Sequence, residues 1–219
     1  MRRWRRLRGM KQILVMMVAV VLVGCSKDTP ESVSPAEEKV IVDPIVEEAI
    51  RKSLNRHEGE LIEADLEKVA FLLLHRTQIT DAGLKEVAKM QQLKGLGLND
   101  TKITDAGLVE LAELQKLTGL DLRRTKITDA GLVEVAKLQQ LEALGLTGTK
   151  ISDEGLKEVA KLQQLTTLGL DNTQITDAGL KELAEVHKLK YLVLIKTKVT
   201  KEGVAELKKA LPNCRIDGP

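Results

Sequence analysis

Apolar and polar positions alternate along this chain in two rhythms that take turns. In Leu117-x-x-Leu120-x-Leu122 the apolar residues end on a two-residue alternation, which predicts a short strand with one buried face. In Thr104-Asp105-Ala106-Gly107-Leu108-x-x-Leu111-Ala112-x-Leu114 they fall at i, i+3, i+4 and i+6, which predicts a helix. Thr104 suits the N-cap of that helix, and Asp105 suits the positive end of its dipole. The pairs Asp81–Lys85, Asp153–Lys157 and Asp177–Lys181 stand at i, i+4, a spacing that predicts acid–base contacts on exposed helix faces.

The two segments return together every 24 residues, with no insertion. Thr recurs at Thr77, Thr101, Thr125, Thr149, Thr173 and Thr197, and Gly at Gly83, Gly107, Gly131, Gly155, Gly179 and Gly203. One such unit buries too little to offset the ordering of its own backbone, so units must stack and share a core. Parallel strands stack about 4.8 Å apart and helices nearer 10 Å, so the stack bends with strands inside and helices outside. The Thr follows each strand where the chain turns inward, and its hydroxyl can satisfy backbone groups buried at the turn. A Gly in the first helical turn costs about 1 kcal/mol against Ala, so its return in every unit predicts coils packed too closely for a Cβ.

The ends depart from the pattern. Asp43-Pro44 is a helix start, with Val46, Ile50 and Leu54 as its apolar stripe, so residues 43–66 read as an N-terminal helical cap. Repeats then occupy 67–200. Residues 201–219 close the array, with Ile216 in the column of Leu192.

Composition narrows the core and the partners. Trp4, Phe71 and Tyr191 are the only aromatic residues, so the core is aliphatic. Six of the 34 basic residues precede Cys25 and no acid does, which leaves 28 bases against 32 acids and a net charge of −4 beyond it. A mildly acidic segment with two aromatics is a poor nucleic-acid binder, and nucleic acid is not an expected partner. Cys214 is the one other cysteine, read as a half-buried thiol, so no internal disulfide is expected.

Residues 1–24 read as a secretory signal: a basic start, then an apolar run from Ile13 to Val23 that is too short to span a membrane. Met1 and Met10 are both candidate start positions. Leu22-Val23-Gly24-Cys25 resembles the lipobox of bacterial lipoproteins. That resemblance implies cleavage before Cys25, acylation of Cys25 with palmitate-type chains, and a membrane-anchored product at the bacterial cell envelope. Ser26 leans toward the outer membrane. Residues 25–42, with Pro30, Pro35 and several acids, read as a tether.

The repeat LxxLxLxxT resembles the leucine-rich-repeat family over about residues 61–216, and its TDAGL segment is similar to the cysteine-containing, F-box-associated class and to bacterial lipoprotein members. The resemblance implies an α/β solenoid, a curved right-handed superhelix with parallel strands on the concave face and helices on the convex face. Strand positions between the leucines vary from unit to unit, and the polar ones offer contacts for a protein or peptide: Asn99, Asp121, Arg123, Arg124, Thr147, Asp171 and Asn172, with Tyr191 as the aromatic anchor. The many glycines among them predict a smooth floor suited to a flat or extended partner. His57, His75 and His187 are scattered, and no metal-ligand or catalytic spacing appears, so neither enzyme, metal nor cofactor is expected. The expected product is a monomeric binding module; a structural spacer is the alternative. An F-box-like ubiquitin-ligase adaptor fits less well, because the leader exports the chain.

Overall fold

The computed structural model describes residues 39–218. The signal sequence, the two candidate start positions, Cys25 and most of the tether therefore lie outside the described residues.

The described chain opens with helix α1 (Pro44–Ser53) and a single turn α2 (Glu63–Leu66). Strand and helix then alternate: β1 (Phe71–Leu73), α3 (Asp81–Val87), β2 (Gly95–Gly97), α4 (Asp105–Leu111), β3 (Gly119–Asp121), α5 (Asp129–Val135), β4 (Ala143–Gly145) and α6 (Asp153–Val159). They continue as β5 (Thr167–Gly169), α7 (Asp177–Leu183), β6 (Tyr191–Val193), α8 (Lys201–Ala210) and β7 (Arg215–Asp217). All seven strands pair in parallel in chain order, and the sheet does not close. The register is the repeat itself: Leu72, Leu96, Leu120, Leu144, Leu168, Leu192 and Ile216 stand side by side.

Each helix is shorter than the apolar pattern alone suggests. α4 stops at Leu111 because the Leu114 amide bonds the Leu111 carbonyl, three residues back, and the chain tightens into a turn. Leu114 stays buried beyond the helix end and joins the column of Met90, Leu138 and Leu162. Leucine, isoleucine and valine columns run the length of the array with almost no solvent contact, and burying each such side chain contributes roughly 1.5–3 kcal/mol.

A threonine column closes the turn within each coil. The Oγ1 of Thr101, Thr125, Thr149 and Thr173 is buried and donates to the carbonyl three residues earlier, on Leu98, Leu122, Leu146 and Leu170, at 2.6 Å. Thr77 and Thr197, at the ends, make the same bond at 2.7 Å but are only half-buried.

The aspartates do something else than the helix pattern predicts. Asp81 accepts from the backbone N–H and the hydroxyl of Thr104, in the next coil, at 2.9 and 2.6 Å. Asp105 grips Thr128, Asp129 grips Ser152, Asp153 grips Thr176 and Asp177 grips Thr200 in the same two-bond manner. The expected Asp81–Lys85, Asp153–Lys157 and Asp177–Lys181 contacts are consequently not made, because those carboxylates face the neighbouring coil; Lys157 pairs with Glu154 instead. Each of these aspartates also occupies the space beside the next helix's glycine. A Cβ built on Gly131 would collide with Asp105 Oδ1 and reach 2.9 Å from Leu108 Cδ1.

The N-terminal cap imitates a repeat. Asp43 caps α1 through Oδ1, accepting from the N–H groups of Ile45 and Val46, while its Oδ2 lies beside Gly83 as Asp81 lies beside Gly107. Glu86 of α3 accepts from the backbone N–H groups of Val42 and Asp43. Ile41 is 1% exposed, so packing reaches into the end of the segment read as tether. Below α1, Asp65 is buried and accepts from Lys68, Arg56 and the Ile62 N–H. At the other end Cys214 is buried, more so than its half-buried reading, and burial pushes its thiol pKa up.

Candidate binding face

The outward side chains of the strands form four columns across the sheet. The first holds Phe71, Gly95, Gly119, Ala143, Thr167 and Tyr191, and the second Leu73, Gly97, Asp121, Gly145, Gly169 and Val193. The third follows the strands with His75, Asn99, Arg123, Thr147, Asp171 and Ile195, and the fourth is Arg76, Asp100, Arg124, Gly148, Asn172 and Lys196. Most of the first three columns, with Arg76, line an open concavity of about 770 Å³, and Arg124, Gly148, Asn172, Ile195 and Lys196 line a second recess of about 410 Å³. Phe71, Leu73, Tyr191 and Ile195 are more than half exposed, two on the β1 side of the face and two on the β6 side.

The polar candidates largely engage one another. Arg123 Nε and Nη2 donate to the two carboxylate oxygens of Asp121 at 2.8 and 2.6 Å, and this contact raises the guanidinium pKa. Thr147 Oγ1 donates to Asp171 at 3.0 Å, and Asp171 also accepts from the Ile195 N–H. Asp100 accepts from the Asn99 amide at 3.1 Å and from Arg124 at 3.5 Å, with Arg76 at 3.8 Å; the Asn99 amide and then Arg124 hold its carboxyl below the usual range. Asn172 is exposed. Tyr191 sits three strands from the Asp121–Arg123 pair, about 14 Å by strand spacing, so the two do not form one cluster.

Two features of this face are hidden in the sequence pattern. All six residues of the fourth column have positive φ, from 53° at Asn172 to 72° at Gly148, because the chain reverses there into a left-handed turn. Gly148, Asn172 and Asp100 are residue types that adopt this conformation readily; two arginines and a lysine disguise it. The glycine floor is also less bare than its composition suggests. A Cβ on Gly95 would meet the Phe71 ring, on Gly97 the Leu73 side chain, on Gly145 Asp121 and Arg123, and on Gly169 the Thr147 hydroxyl. Each of these glycines seats a side chain of the preceding coil. Gly119 alone among them has nothing within 4 Å of that position.

His57, His75 and His187 are all exposed and belong to the cap, the strand side and the convex side respectively. Among the described residues no three His, Cys, Asp or Glu side chains converge as a metal site would require, and no helix is long and apolar enough to cross a membrane.

Seven parallel strands alternating with helices in an unclosed sheet define an α/β solenoid of stacked coils. Residues 113–136, 137–160 and 161–184 each match the leucine-rich-repeat family model, so three consecutive coils of the solenoid are leucine-rich repeats. No curated protein matches the chain. Among solved structures it is similar to internalin C2 of Listeria monocytogenes, at 22% identity and TM-score 0.50, over 82% of this chain and 95% of that one. It is also similar to another internalin of that organism, inlF, at 27% identity and TM-score 0.55, over 70% of this chain and 43% of that one. The chain thus spans less than half the length of the second internalin. These likenesses concern the fold.

Proposed function

We propose that this chain is a non-catalytic, lipid-anchored binding module that recognises a protein or peptide at the cell envelope through its strand face. One observation carries the reading. The core leucines and the Thr, Asp and Gly columns repeat from coil to coil, whereas the outward strand positions differ, and these leave Phe71, Leu73, Tyr191 and Ile195 exposed on one surface. Large apolar side chains gathered on one exposed face are characteristic of interaction sites. The acids on this face are engaged by neighbouring donors at short range, as in a preorganised contact surface rather than a proton-transfer site. Anchorage rests on the lipobox-like Leu22-Val23-Gly24-Cys25, and several acyl chains on one residue give lasting attachment where a single chain does not.

The test uses the full chain, purified from membranes and cross-linked to its envelope neighbours. A partner captured by the wild type and lost with Arg123→Glu plus Tyr191→Ala supports recognition by the strand face. Capture of nothing above background would favour the spacer reading. The anchor is tested separately: Cys25→Ser should abolish labelled-palmitate incorporation and leave the 24-residue leader uncut, read as a larger mass. Undiminished palmitate incorporation in that variant, or none in the wild type, would refute lipidation at Cys25.

A further inference from the structure

The four outward columns divide the strand face lengthwise into two lanes. From β1 to β6 the first two columns contain a single charged residue, Asp121, among aromatic, aliphatic and small ones; on β7 they end in Arg215 and Asp217, which pair with each other. Over β1 to β6 the last two hold nearly all the charge. Any chain lying across the strands therefore meets an apolar lane on one side and a charged lane on the other.

The charged lane has spare positive charge. Its acids are satisfied internally: Asp121 by Arg123, Asp171 by Thr147 and the Ile195 N–H, Asp100 by Asn99 and two arginines. Of the bases, Arg123 is paired two-to-two with Asp121, but Arg76 and Arg124 share one carboxylate at 3.8 and 3.5 Å, and Lys196 makes no ion pair among the described residues. Complementarity on this side calls for an acidic partner.

The apolar lane has one open seat. The other glycines of the lane lie beneath a neighbour's side chain, but at Gly119 the strand backbone is open between the Phe71 end of the lane and exposed Ala143. Nor does backbone geometry demand glycine there, since its φ is not positive.

Dimensions favour one form of partner. From β1 to β6 the face spans about 24 Å by strand spacing, the length of roughly seven extended residues. The two apolar columns are about 6.7 Å apart along the strand, less than the roughly 10 Å diameter of a helix.

We infer, building on the strand-face reading above, that the partner is an extended peptide segment of about seven residues, with an apolar side chain seated over Gly119 and acidic side chains turned toward Arg76, Arg124 and Lys196. The peptide crosses the strands, exposed Phe71 and Tyr191 bound its apolar lane, and the paired Asp121–Arg123 ridge fixes its position between them.

The experiment selects random linear heptapeptides displayed on phage against the immobilised full chain, then measures the enriched peptides by fluorescence anisotropy. The expected peptides combine an aliphatic or aromatic residue with at least one Asp or Glu, and bind more weakly as salt rises. Gly119→Leu should weaken them at least tenfold while leaving the thermal midpoint unchanged or raised, because the side chain fills open space. Arg76→Glu with Arg124→Glu should weaken them by a similar factor. Val133→Lys, on the convex helix α5, should have no effect. No enrichment, enrichment of basic peptides, or equal affinity for wild type and a folded Gly119→Leu variant would each overturn the inference. If the peptides fail while the Arg123→Glu, Tyr191→Ala pair still releases a captured partner, recognition by the face survives and only the partner class falls. If neither responds, both readings fall.

Discussion

Gly131→Ala is a substitution for which helix propensity and packing predict opposite signs. Gly131 lies in the first turns of α5, where exchanging Gly for Ala in an unconstrained helix stabilises by about 1 kcal/mol. Here the added methyl enters the space of the Asp105 carboxylate and comes within 2.9 Å of Leu108 Cδ1. Asp105 cannot retreat freely, because its two oxygens hold the Thr128 N–H at 2.8 Å and the Thr128 hydroxyl at 2.6 Å. Loss of those bonds costs about 1–1.5 kcal/mol each at this half-exposed position, and the crowded leucine adds about 1 kcal/mol more. Against the propensity gain of about 1 kcal/mol, the net expectation is a destabilisation of about 2–3 kcal/mol. Urea unfolding followed by circular dichroism measures it, with the slope compared between variants to check that the array still melts as one unit. The decisive comparison is a double-mutant cycle. With Asp105→Ala in place only the Leu108 contact remains, which about offsets the propensity gain, so Gly131→Ala should become roughly neutral, for a coupling of about 2–3 kcal/mol. A single Gly131→Ala that gained about 1 kcal/mol, or a cycle without coupling, would refute the close-approach account of the glycine column.

Three further outcomes follow from the same geometry. Thr125→Val should cost about 1–2 kcal/mol, since it removes a buried 2.6 Å bond to the Leu122 carbonyl that retains only the long 3.3 Å contact from the Thr125 N–H; Thr125→Ser should be nearly neutral, and both are read by urea melts. Lys196→Gly should stabilise by about 1 kcal/mol in thermal melts by relieving a φ of 60°, and Gly148→Ala should lose a similar amount. Acid titration should expose the depressed carboxylates: Lys68 and the Ile62 N–H lower the pKa of Asp65, and Thr200 lowers that of Asp177. Their contribution is complete above the unfolded carboxyl pKa of about 3.9 and disappears as pH falls through the lower folded values, so wild type should lose stability below about pH 4. Asp65→Asn should lose less over that interval, and an unaltered pH profile in the variant would contradict the assignment.

The repeat made most of the architecture legible before any coordinates. A fixed 24-residue period leaves one register for the strands, so Leu72, Leu96 and Leu120 had to align, and the first-turn glycines pointed to tight coils. The identity of what fills the glycine's space was not legible. Asp105 reads equally well as a residue at a helix start and as a ligand for the next coil, because both roles want an acid at the same place. Local rules favoured pairing Asp81 with Lys85, whereas a backbone N–H and a hydroxyl 23 residues onward hold the carboxylate in two bonds. On the strand face the columns could be written down from spacing, but not which side chains lean. Gly95 and Gly119 are indistinguishable in the sequence; only the position of the Phe71 ring separates a covered glycine from an open one.

The aspartate column also has mechanical implications. Each carboxylate reaches only the adjoining coil, and the last one, Asp177, holds Thr200; the next position in register is Lys201, which cannot accept a hydrogen bond. Load applied along the array is therefore borne in series, clasp by clasp, with no strap across several coils to share it. Pulled from its two termini, such a molecule peels rather than bursts, and the C-terminal coil, held on one side only, gives way first. In a force–extension trace this would register as a staircase of small rips, each releasing about one repeat's length of chain.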